Sequence, residues 1–293
     1  MDVFTRASKW HLAAWLALLL TAPAGAFAKQ REKKIPVGDL TGVEVRLTSG
    51  NVRVMAWKDD AVTVTWEDSD PLPISTKEGV LQIGMKSSRQ NNTVNTDVRL
   101  LVPEHLKVIV EVISGDVEVQ GFTSHLRIVT VSGNVRVAAC SAAVDIETVS
   151  GDIDVQDIKG DLALRTVSGD VSGRNLKAML VETKTVSGDL TLDNTRTKQL
   201  RMKSHSGSLH FDGNMQAGGL FESSTFSGKI DFELGKEDSF DLEAKSRSGI
   251  VHIDKGIALQ ENRRNYARGS HKKGGTQLRL TSFSGKIRVR IGQ

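Results

Sequence analysis

Apolar and polar residues alternate with a period of two through most of the chain, in short runs divided by a Ser-Gly pair. The residues two and four places after each glycine are almost always apolar, as Val135 and Val137 are after Gly133. The residue between them, here Arg136, is usually polar. Alternation of this kind predicts a half-buried β-strand on each side of every Ser-Gly pair.

The Ser-Gly pair recurs at a nearly constant spacing. In the regularly spaced pairs the glycine stands at positions 50, 115, 133, 151, 169, 188, 207, 228, 249 and 285, so most intervals are 18–21 residues and two, of 65 and 36, are longer. Helical repeats need about 33 residues or more per unit, and the Leu/Asn signature of leucine-rich repeats is missing. The spacing predicts an all-β fold, a single-stranded β-solenoid (β-helix) with coils of 18–21 residues.

Stacking of the coils explains why one hexapeptide, "TVSGDV" and its near-copies, is repeated. A single coil cannot bury its apolar face alone, whereas identical coils stacked about 4.8 Å apart place like side chains on one another. The glycine is expected at a corner of the coil. Strict alternation further predicts that the serine points inward, in a buried column of hydroxyl groups. The predicted structural residues are Ser132, Gly133, Ser150, Gly151, Ser168, Gly169, Ser187 and Gly188.

The start of the chain has the features of an export signal. Residues 1–28 combine Arg6 and Lys9, the apolar run "LAAWLALLL" and a final Ala-Phe-Ala. This pattern predicts a signal peptide cleaved after Ala28, and therefore a protein exported to the periplasm or surface of a bacterium. No later segment is apolar enough to predict a membrane span.

The rest of the chain divides into three parts. Residues 29–42 are predicted to be a flexible lead-in, residues 43–105 an N-terminal β cap, and residues 106–293 the solenoid. Within the solenoid, the basic segment 255–275 has no clear period and is expected to be a mobile loop. The final coil carries Lys286, Arg288 and Arg290, which predicts a charged edge that discourages end-to-end association.

Composition limits the functions that the chain could have. The net charge of +4 is too small to indicate a nucleic-acid partner. The single cysteine, Cys140, cannot form an internal disulfide and is predicted to be a buried filler, because no basic or histidine residue lies beside it in sequence. No cofactor is expected.

The repeated "TVSGDV"-type motifs, the passage "DVRLLVPEHLKVIVEVISGDVEV" and the closing "GGTQLRLTSFSGKIRV" resemble one known family. This is the bacterial putative-adhesin β-repeat family, a domain of unknown function. The resemblance covers most of the chain after the signal peptide. It implies a secreted or envelope-facing β-solenoid, and it offers no established catalytic residues.

Two groups of residues are candidate binding surfaces. The residue before each serine should point outward by parity, which predicts an apolar stripe that either docks a partner or is covered by the cap, a loop or a bend. The stripe comprises Ile113, Val131, Val149, Val167 and Val186, and is continued less cleanly by His205, Phe226, Arg247 and Phe283. The second group could attract anionic lipid or acidic polysaccharide, or simply be solvated. It comprises Arg263, Arg264, Arg268, Lys272 and Lys273.

Two columns of side chains contain residue types that can bind metals. Asp116, Asp152, Asp170 and Asp189 follow the glycines, and are expected to cap their own turns rather than to bind Ca²⁺. His210, Asp231 and His252 share one outward position, which the spacing places on three successive coils. Such a column could hold Zn²⁺ or Cu²⁺, but a solvated face of alternating charge is the favoured interpretation, because a flat face does not readily close a tetrahedral site. No metal is therefore predicted.

These features favour a non-enzymatic, exported envelope protein. Its predicted role is an adhesin-like or structural scaffold that presents flat β faces to a partner or polysaccharide. One alternative is a polysaccharide lyase or hydrolase, because parallel β-helices often carry such activity. Another is an accessory of envelope-stress signalling that docks a second protein along its flank.

Overall fold

The computed structural model describes residues 30–67, 72–84 and 96–292, and the predicted signal peptide lies outside them. These residues are all-β, with 25 strands and no helix. No helix in the described ranges could therefore cross a membrane. The prediction of an all-β solenoid is confirmed.

The strands follow one another with short connections. In the N-terminal half they are β1 (Gln30–Pro36), β2 (Gly42–Ser49), β3 (Val52–Trp57), β4 (Ala61–Glu67), β5 (Ile74–Lys77), β6 (Val80–Ile83), β7 (Val98–Pro103), β8 (Lys107–Ser114), β9 (Val117–Gln120), β10 (Leu126–Ser132), β11 (Val135–Ala138), β12 (Val144–Ser150) and β13 (Ile153–Gln156). In the C-terminal half they are β14 (Leu162–Arg165), β15 (Val171–Arg174), β16 (Lys177–Lys184), β17 (Leu190–Ser206), β18 (Leu209–Ser227), β19 (Ile230–Leu234), β20 (Phe240–Ser246), β21 (Val251–Ile253), β22 (Ala258–Arg263), β23 (Tyr266–His271), β24 (Thr276–Ser284) and β25 (Ile287–Ile291).

Each regular coil consists of a strand, the Ser-Gly corner, a second strand and a short third side. Each coil is named here by its corner glycine, so β12 and β13 form coil 151. Successive coils pair in parallel and in register: β12 lies on β10 with Ser150 opposite Ser132, and β13 lies on β11 with Ile153 opposite Val135. The repeat interval therefore equals one turn of the solenoid.

The core is a column of apolar side chains inside the coils. In coils 207 and 228, Leu209 lies opposite Ile230 and Phe211 opposite Phe232, and all four are fully buried. The two phenyl rings stack with centroids 5.1 Å apart. Burial of one such side chain contributes about 1.5–3 kcal/mol, so in-register stacking is the main source of stability.

The third side of each coil carries a second buried column. It contains Phe122, Cys140, Ile158 and Leu176, each at most 1% exposed. Burial raises the pKa of the Cys140 thiol, whose Sγ lies 3.3 Å from the carbonyl oxygen of Ala138. Cys140 thus fills space in the core, as its neighbours in the sequence indicated.

Cys140 is expected to react with a thiol reagent at least about 100-fold more slowly in the folded protein than in guanidinium chloride. The reason is that both burial and the raised pKa suppress the thiolate, which is the nucleophile. Release of thionitrobenzoate from Ellman's reagent measures both rates. Equal rates would show that the third side opens readily in the native state.

The coils at the C-terminal end do not stack in chain order. Strand β24 lies between β18 and β20, and β25 lies between β19 and β21. Coil 285 therefore occupies the position between coils 228 and 249, and coil 249 is the outermost. The predicted charged edge at the final coil is wrong, because β25 is an interior strand and Arg290 forms ion pairs with Asp231 and Glu233 of coil 228.

The N-terminal end is arranged in the same way. Strands β2 and β3 form coil 50, which lies directly on coil 115, with Ser49 opposite Ser114. Strands β6 and β7 come later in the chain, yet they pair with the outer side of coil 50. The boundary predicted at residue 105 is therefore misplaced. Coil 50 belongs to the solenoid, and the cap consists of β1 and β4–β7.

Antiparallel strands cover both ends. At the N-terminal end β1 pairs with β4, which pairs with β7, and β5 pairs with β6. At the C-terminal end β23 pairs with β20, and β22 pairs with β23. Two segments expected to be flexible are strands instead: residues 30–36 of the lead-in, and the hairpin β22–β23 in the basic segment. Backbone pairing at an otherwise open sheet edge orders them.

Candidate functional site

The corner of each coil is fixed by close backbone stacking. The amide nitrogen of Gly151 donates to the carbonyl oxygen of Ser168 in the next coil, and that of Gly133 donates to Ser150. A Cβ on Gly151 would overlap the carbonyl oxygen of Gly133, and the same relation holds for every corner glycine other than Gly50, whose Cβ would overlap the carbonyl oxygen of Thr96. The glycines recur because only a residue without a side chain permits this approach.

The serines do not form the predicted inward column. Ser132, Ser150, Ser168 and Ser187 are all exposed. The chain turns after the buried threonine two places earlier, so the valine and the serine both point outward. The inward hydroxyl groups belong instead to that threonine position: for example, Thr166 Oγ1 donates to the carbonyl oxygen of Gly151 at 3.3 Å.

The residue after each glycine links neighbouring coils. An Oδ1 atom of this residue accepts a hydrogen bond from the backbone nitrogen of the equivalent residue in the next coil. Asp152 accepts from Asp170 at 2.9 Å, and Asp170 accepts from Asp189 at 2.7 Å. These carboxylates cap the next coil rather than their own turn. In the described ranges no group of acidic, histidine or cysteine side chains could hold a metal ion.

An apolar ladder runs along this corner. Its five members are 45–54% exposed and lie in register one coil apart: Ile113, Val131, Val149, Val167 and Val186. Within residues 30–67, 72–84 and 96–292, neither the cap nor a loop covers them. Of the eleven large hydrophobic side chains exposed in the described ranges, eight lie at this corner, namely these five with Phe226, Ile250 and Phe283.

An aromatic stack continues the apolar ladder toward the C-terminal end. The rings of His205 and Phe226 stack with centroids 4.9 Å apart, and those of Phe226 and Phe283 with centroids 4.5 Å apart. Arg247 lies on the outermost coil, and its Cζ is 5.0 Å from the ring centroid of Phe283. The order of the coils creates this stack, because coil 285 places Phe283 between Phe226 and Arg247. The apolar ladder and the aromatic stack together form the corner ridge.

The flat faces on either side of the corner ridge carry ladders of ion pairs. On the first-strand face Arg127 pairs with Asp145 and Glu147, and Arg165 Nη1 lies 3.1 Å from Asp145 Oδ1. On the second-strand face Arg53 Nε lies 2.7 Å from Glu118 Oε2. Exposed pairs of this kind add little stability, but they leave the faces with few unsatisfied charges.

The Toastrack DUF4097 family matches residues 40–290. The chain belongs to this family. No curated protein matches the chain.

Several solved structures are similar to this Toastrack chain. A putative adhesin from Bacteroides fragilis is 14% identical with a TM-score of 0.50, and the match covers 90% of this chain and 100% of that one. A putative adhesin from Parabacteroides distasonis is 16% identical with a TM-score of 0.35, over 89% and 97% of the two chains. A putative lipid-binding protein from the same species is 16% identical with a TM-score of 0.43, over 90% and 96%.

The candidate His–Asp–His column is not continuous in this Toastrack chain. Asp231 and His252 lie on either side of Arg288, because coil 285 lies between their coils. His210 Nε2 instead lies 3.5 Å from Asp193 Oδ1, and His252 Nε2 lies 3.6 Å from Asp254 Oδ1. The Arg288 guanidinium group thus separates Asp231 from His252, and the three side chains do not form one column.

The basic candidate residues are divided by the hairpin that contains them. Arg264 is exposed at its turn, beside the corner of coil 249, where the backbone nitrogen of Val251 donates to the carbonyl oxygen of Arg264 at 2.9 Å. Arg263 pairs with Glu261. Lys272 lies at the opposite end of the hairpin and pairs with Glu237, and Lys273 follows it. Arg268 lies on β23 opposite Glu243 of β20. The sequence cluster is thus not one surface.

Proposed function

We propose that this Toastrack protein is an exported, non-catalytic binding scaffold of the cell envelope, and that it docks another envelope protein along the apolar ladder. The observation that carries the proposal is the exposure of five aliphatic side chains in one continuous column. Exposed apolar surface of this length in a folded protein typically marks a contact with a partner.

The chemistry of the apolar ladder favours a protein as the partner. Aliphatic side chains offer no hydrogen-bond donor or acceptor to a sugar hydroxyl. They fit an apolar groove on another protein, in which each would occupy a small pocket at intervals of about 4.8 Å. On its second-strand side the apolar ladder is flanked by exposed carboxylates that form no salt bridge within the described ranges, namely Asp116, Asp152, Asp170 and Asp189. A groove with a basic rim would complement them.

The location of these carboxylates also supports a role in binding over catalysis. Asp116, Asp152, Asp170 and Asp189 each accept a backbone hydrogen bond from the next coil. Hydrolysis of a polysaccharide requires two carboxyl groups on opposite sides of a bound sugar. A straight row of exposed carboxylates on a convex corner does not provide that arrangement.

Substitution of Val149 and Val167 by aspartate is expected to abolish capture of the partner from envelope extract. Two charges in the middle of the apolar ladder would have to be desolvated on docking, which predicts at least about a 100-fold loss of affinity. The folded protein should tolerate them, because both positions are 45–46% exposed. Affinity capture with quantitative mass spectrometry, alongside thermal melting, measures both effects.

The matched control is Ser172→Asp with Thr191→Asp. These residues also lie on adjacent coils, but on the flat second-strand face. The proposal requires that a protein captured by the wild-type chain and by this control is lost from the Val149/Val167 variant. Loss from the control alone would assign binding to the flat β faces. A protein captured equally by all three would exclude the apolar ladder.

A further inference from the structure

The C-terminal part of the corner ridge differs in chemistry from the apolar ladder. It comprises the corners of coils 207, 228, 285 and 249, which are residues 203–208, 224–229, 281–286 and 245–250. We call this surface the basic–aromatic corner. It holds no acidic residue and five exposed cations, namely Lys203, Lys229, Lys245, Arg247 and Lys286.

These cations have no ionic partners in the described part of the chain. Within the described ranges none of the five side chains forms a salt bridge, and the Arg247 guanidinium group lies over the face of Phe283. The neighbouring first-strand face is different: Arg201 and Arg279, one coil to either side of Glu222, both pair with it. The positive charge at the corner is therefore uncompensated, while the charge beside it is paired.

Exposed apolar groups lie among the cations. Phe226 is 47% exposed, Phe283 39% and Ile250 47%. The turn of the C-terminal hairpin adds Arg264 beside Ile250, since the backbone nitrogens of Ser246 and Val251 donate to Asn265 and Arg264. Cations around a small apolar group are typical of surfaces that bind an anionic bilayer, where apolar groups enter the boundary between headgroups and acyl chains.

The shape of the corner distinguishes among anionic partners. The ring faces of Phe226 and Phe283 are covered by each other, by His205 and by Arg247, so only ring edges reach solvent. A sugar ring stacks on an open aromatic face, and neither phenyl ring has one. The corner is also convex, and a rigid partner would need a matching groove. A bilayer surface deforms around a convex ridge and needs no groove.

We infer that the basic–aromatic corner binds an anionic phospholipid surface. Lysine ammonium groups would lie among the lipid phosphates, while the edges of Phe226 and Phe283 and the side chain of Ile250 would enter the interface. This goes beyond docking of a protein along the apolar ladder, and it uses different residues. With both surfaces in use, the chain would hold its protein partner at the membrane.

The test is sedimentation of the purified protein with large unilamellar vesicles at about 50 mM salt. We expect binding to vesicles of equimolar phosphatidylglycerol and phosphatidylcholine, and little to phosphatidylcholine alone. Lys229→Glu with Lys286→Glu should weaken partitioning at least about 10-fold, because each lysine near an anionic bilayer contributes about 5-fold. Phe226→Ser with Phe283→Ser should also weaken it, and this double variant changes no charge.

The matched control is Lys159→Glu with Lys177→Glu. These exposed lysines also lie opposite each other on adjacent coils, but on the third side of the solenoid, and the substitution changes the net charge equally. If both lysine variants lost vesicle binding equally, the net charge of the protein rather than the basic–aromatic corner would explain the binding, and the inference would be overturned. So would failure to sediment with phosphatidylglycerol, or equally tight binding to soluble polygalacturonate that also requires Phe226 and Phe283.

The Val149→Asp/Val167→Asp variant separates this inference from the proposed function. It should sediment with phosphatidylglycerol vesicles as the wild-type chain does, because its substitutions lie outside the basic–aromatic corner. Conversely, the Lys229/Lys286 variant should capture the protein partner normally from detergent-solubilised extract. If the Val149/Val167 variant did not sediment, lipid binding would not belong to the basic–aromatic corner alone, and the inference would be refuted. If the Lys229/Lys286 variant did not capture the protein, docking would not belong to the apolar ladder, and the proposed function would be refuted.

Discussion

Deletion of residues 276–293 is expected to unfold the C-terminal end of the solenoid rather than to shorten it by one coil. These residues form coil 285, which lies between coils 228 and 249. The deletion would remove Leu278, Leu280, Ile287 and Val289, all fully buried. At about 1.5–3 kcal/mol each, their loss amounts to about 6–12 kcal/mol, which is comparable with the whole stability of a typical domain.

The effect has a specific location. Without coil 285, strands β20 and β21 lose their parallel neighbours, and the hairpin β22–β23 contacts only these two unsupported strands. Limited proteolysis should therefore cleave the truncated chain throughout residues 235–275, and circular dichroism should show a lower and broader melting transition. A deletion at the true end of a solenoid would instead leave the remaining coils protected.

A control removes the hairpin and keeps the coil. Residues 255–275 would be replaced by a copy of residues 157–161, which close coil 151 on its third side. Only an edge is lost, so the cost should be a small fraction of that caused by the truncation. If the truncated chain melts as sharply as this control, coil 285 does not lie inside the stack.

The sequence predicted the solenoid because the periodicity of its strands is local. Each corner glycine is followed by buried residues at two and four places, and coils 115 to 228 indeed stack in that register. The order of the coils at the ends is not local information. The segment "QLRLTSFSGKIRV" fits on coil 228 or on coil 249 equally well by its pattern. The interval of 65 contains the cap strands, of which β6 and β7 pair with the outer side of coil 50. The interval of 36 precedes coil 285, which fills the position left between coils 228 and 249.

The candidate site was predictable in part, because the alternation of apolar and polar residues is also a local pattern. Alternation correctly placed the valines on the outside of the coil. It failed one residue later at the serines, because a period of two assumes a straight strand and the chain bends at the corner. The basic–aromatic corner could not be predicted, since it depends on Phe283 lying between Phe226 and Arg247. Only the exchanged coil order brings those side chains together.

The corner glycines are expected to be the least replaceable residues of the fold. In Gly151→Ala, the new Cβ would overlap the carbonyl oxygen of Gly133, which belongs to the backbone of the adjacent coil and cannot rotate away. Coils 133 and 151 would have to separate locally, which would weaken the hydrogen bonds that the backbone nitrogens of Gly133 and Val135 donate to the carbonyl oxygens of Ser150 and Asp152. A cost of about 3 kcal/mol is expected, and it should lower the melting temperature by about 6–12 °C.

Gly218→Ala is the matched control, because it tests the effect of a positive φ without any steric overlap. Gly218 has a positive φ of 69°, and no atom lies within 4 Å of the position that a Cβ would take there. Gly151 has the opposite combination, with no left-handed backbone and a severe overlap. A positive φ costs an alanine about 1–2 kcal/mol. Thermal melts of both variants should therefore rank Gly151→Ala as clearly more destabilising. The reverse order would mean that backbone conformation, rather than the contact between stacked coils, selects glycine in the repeated motif.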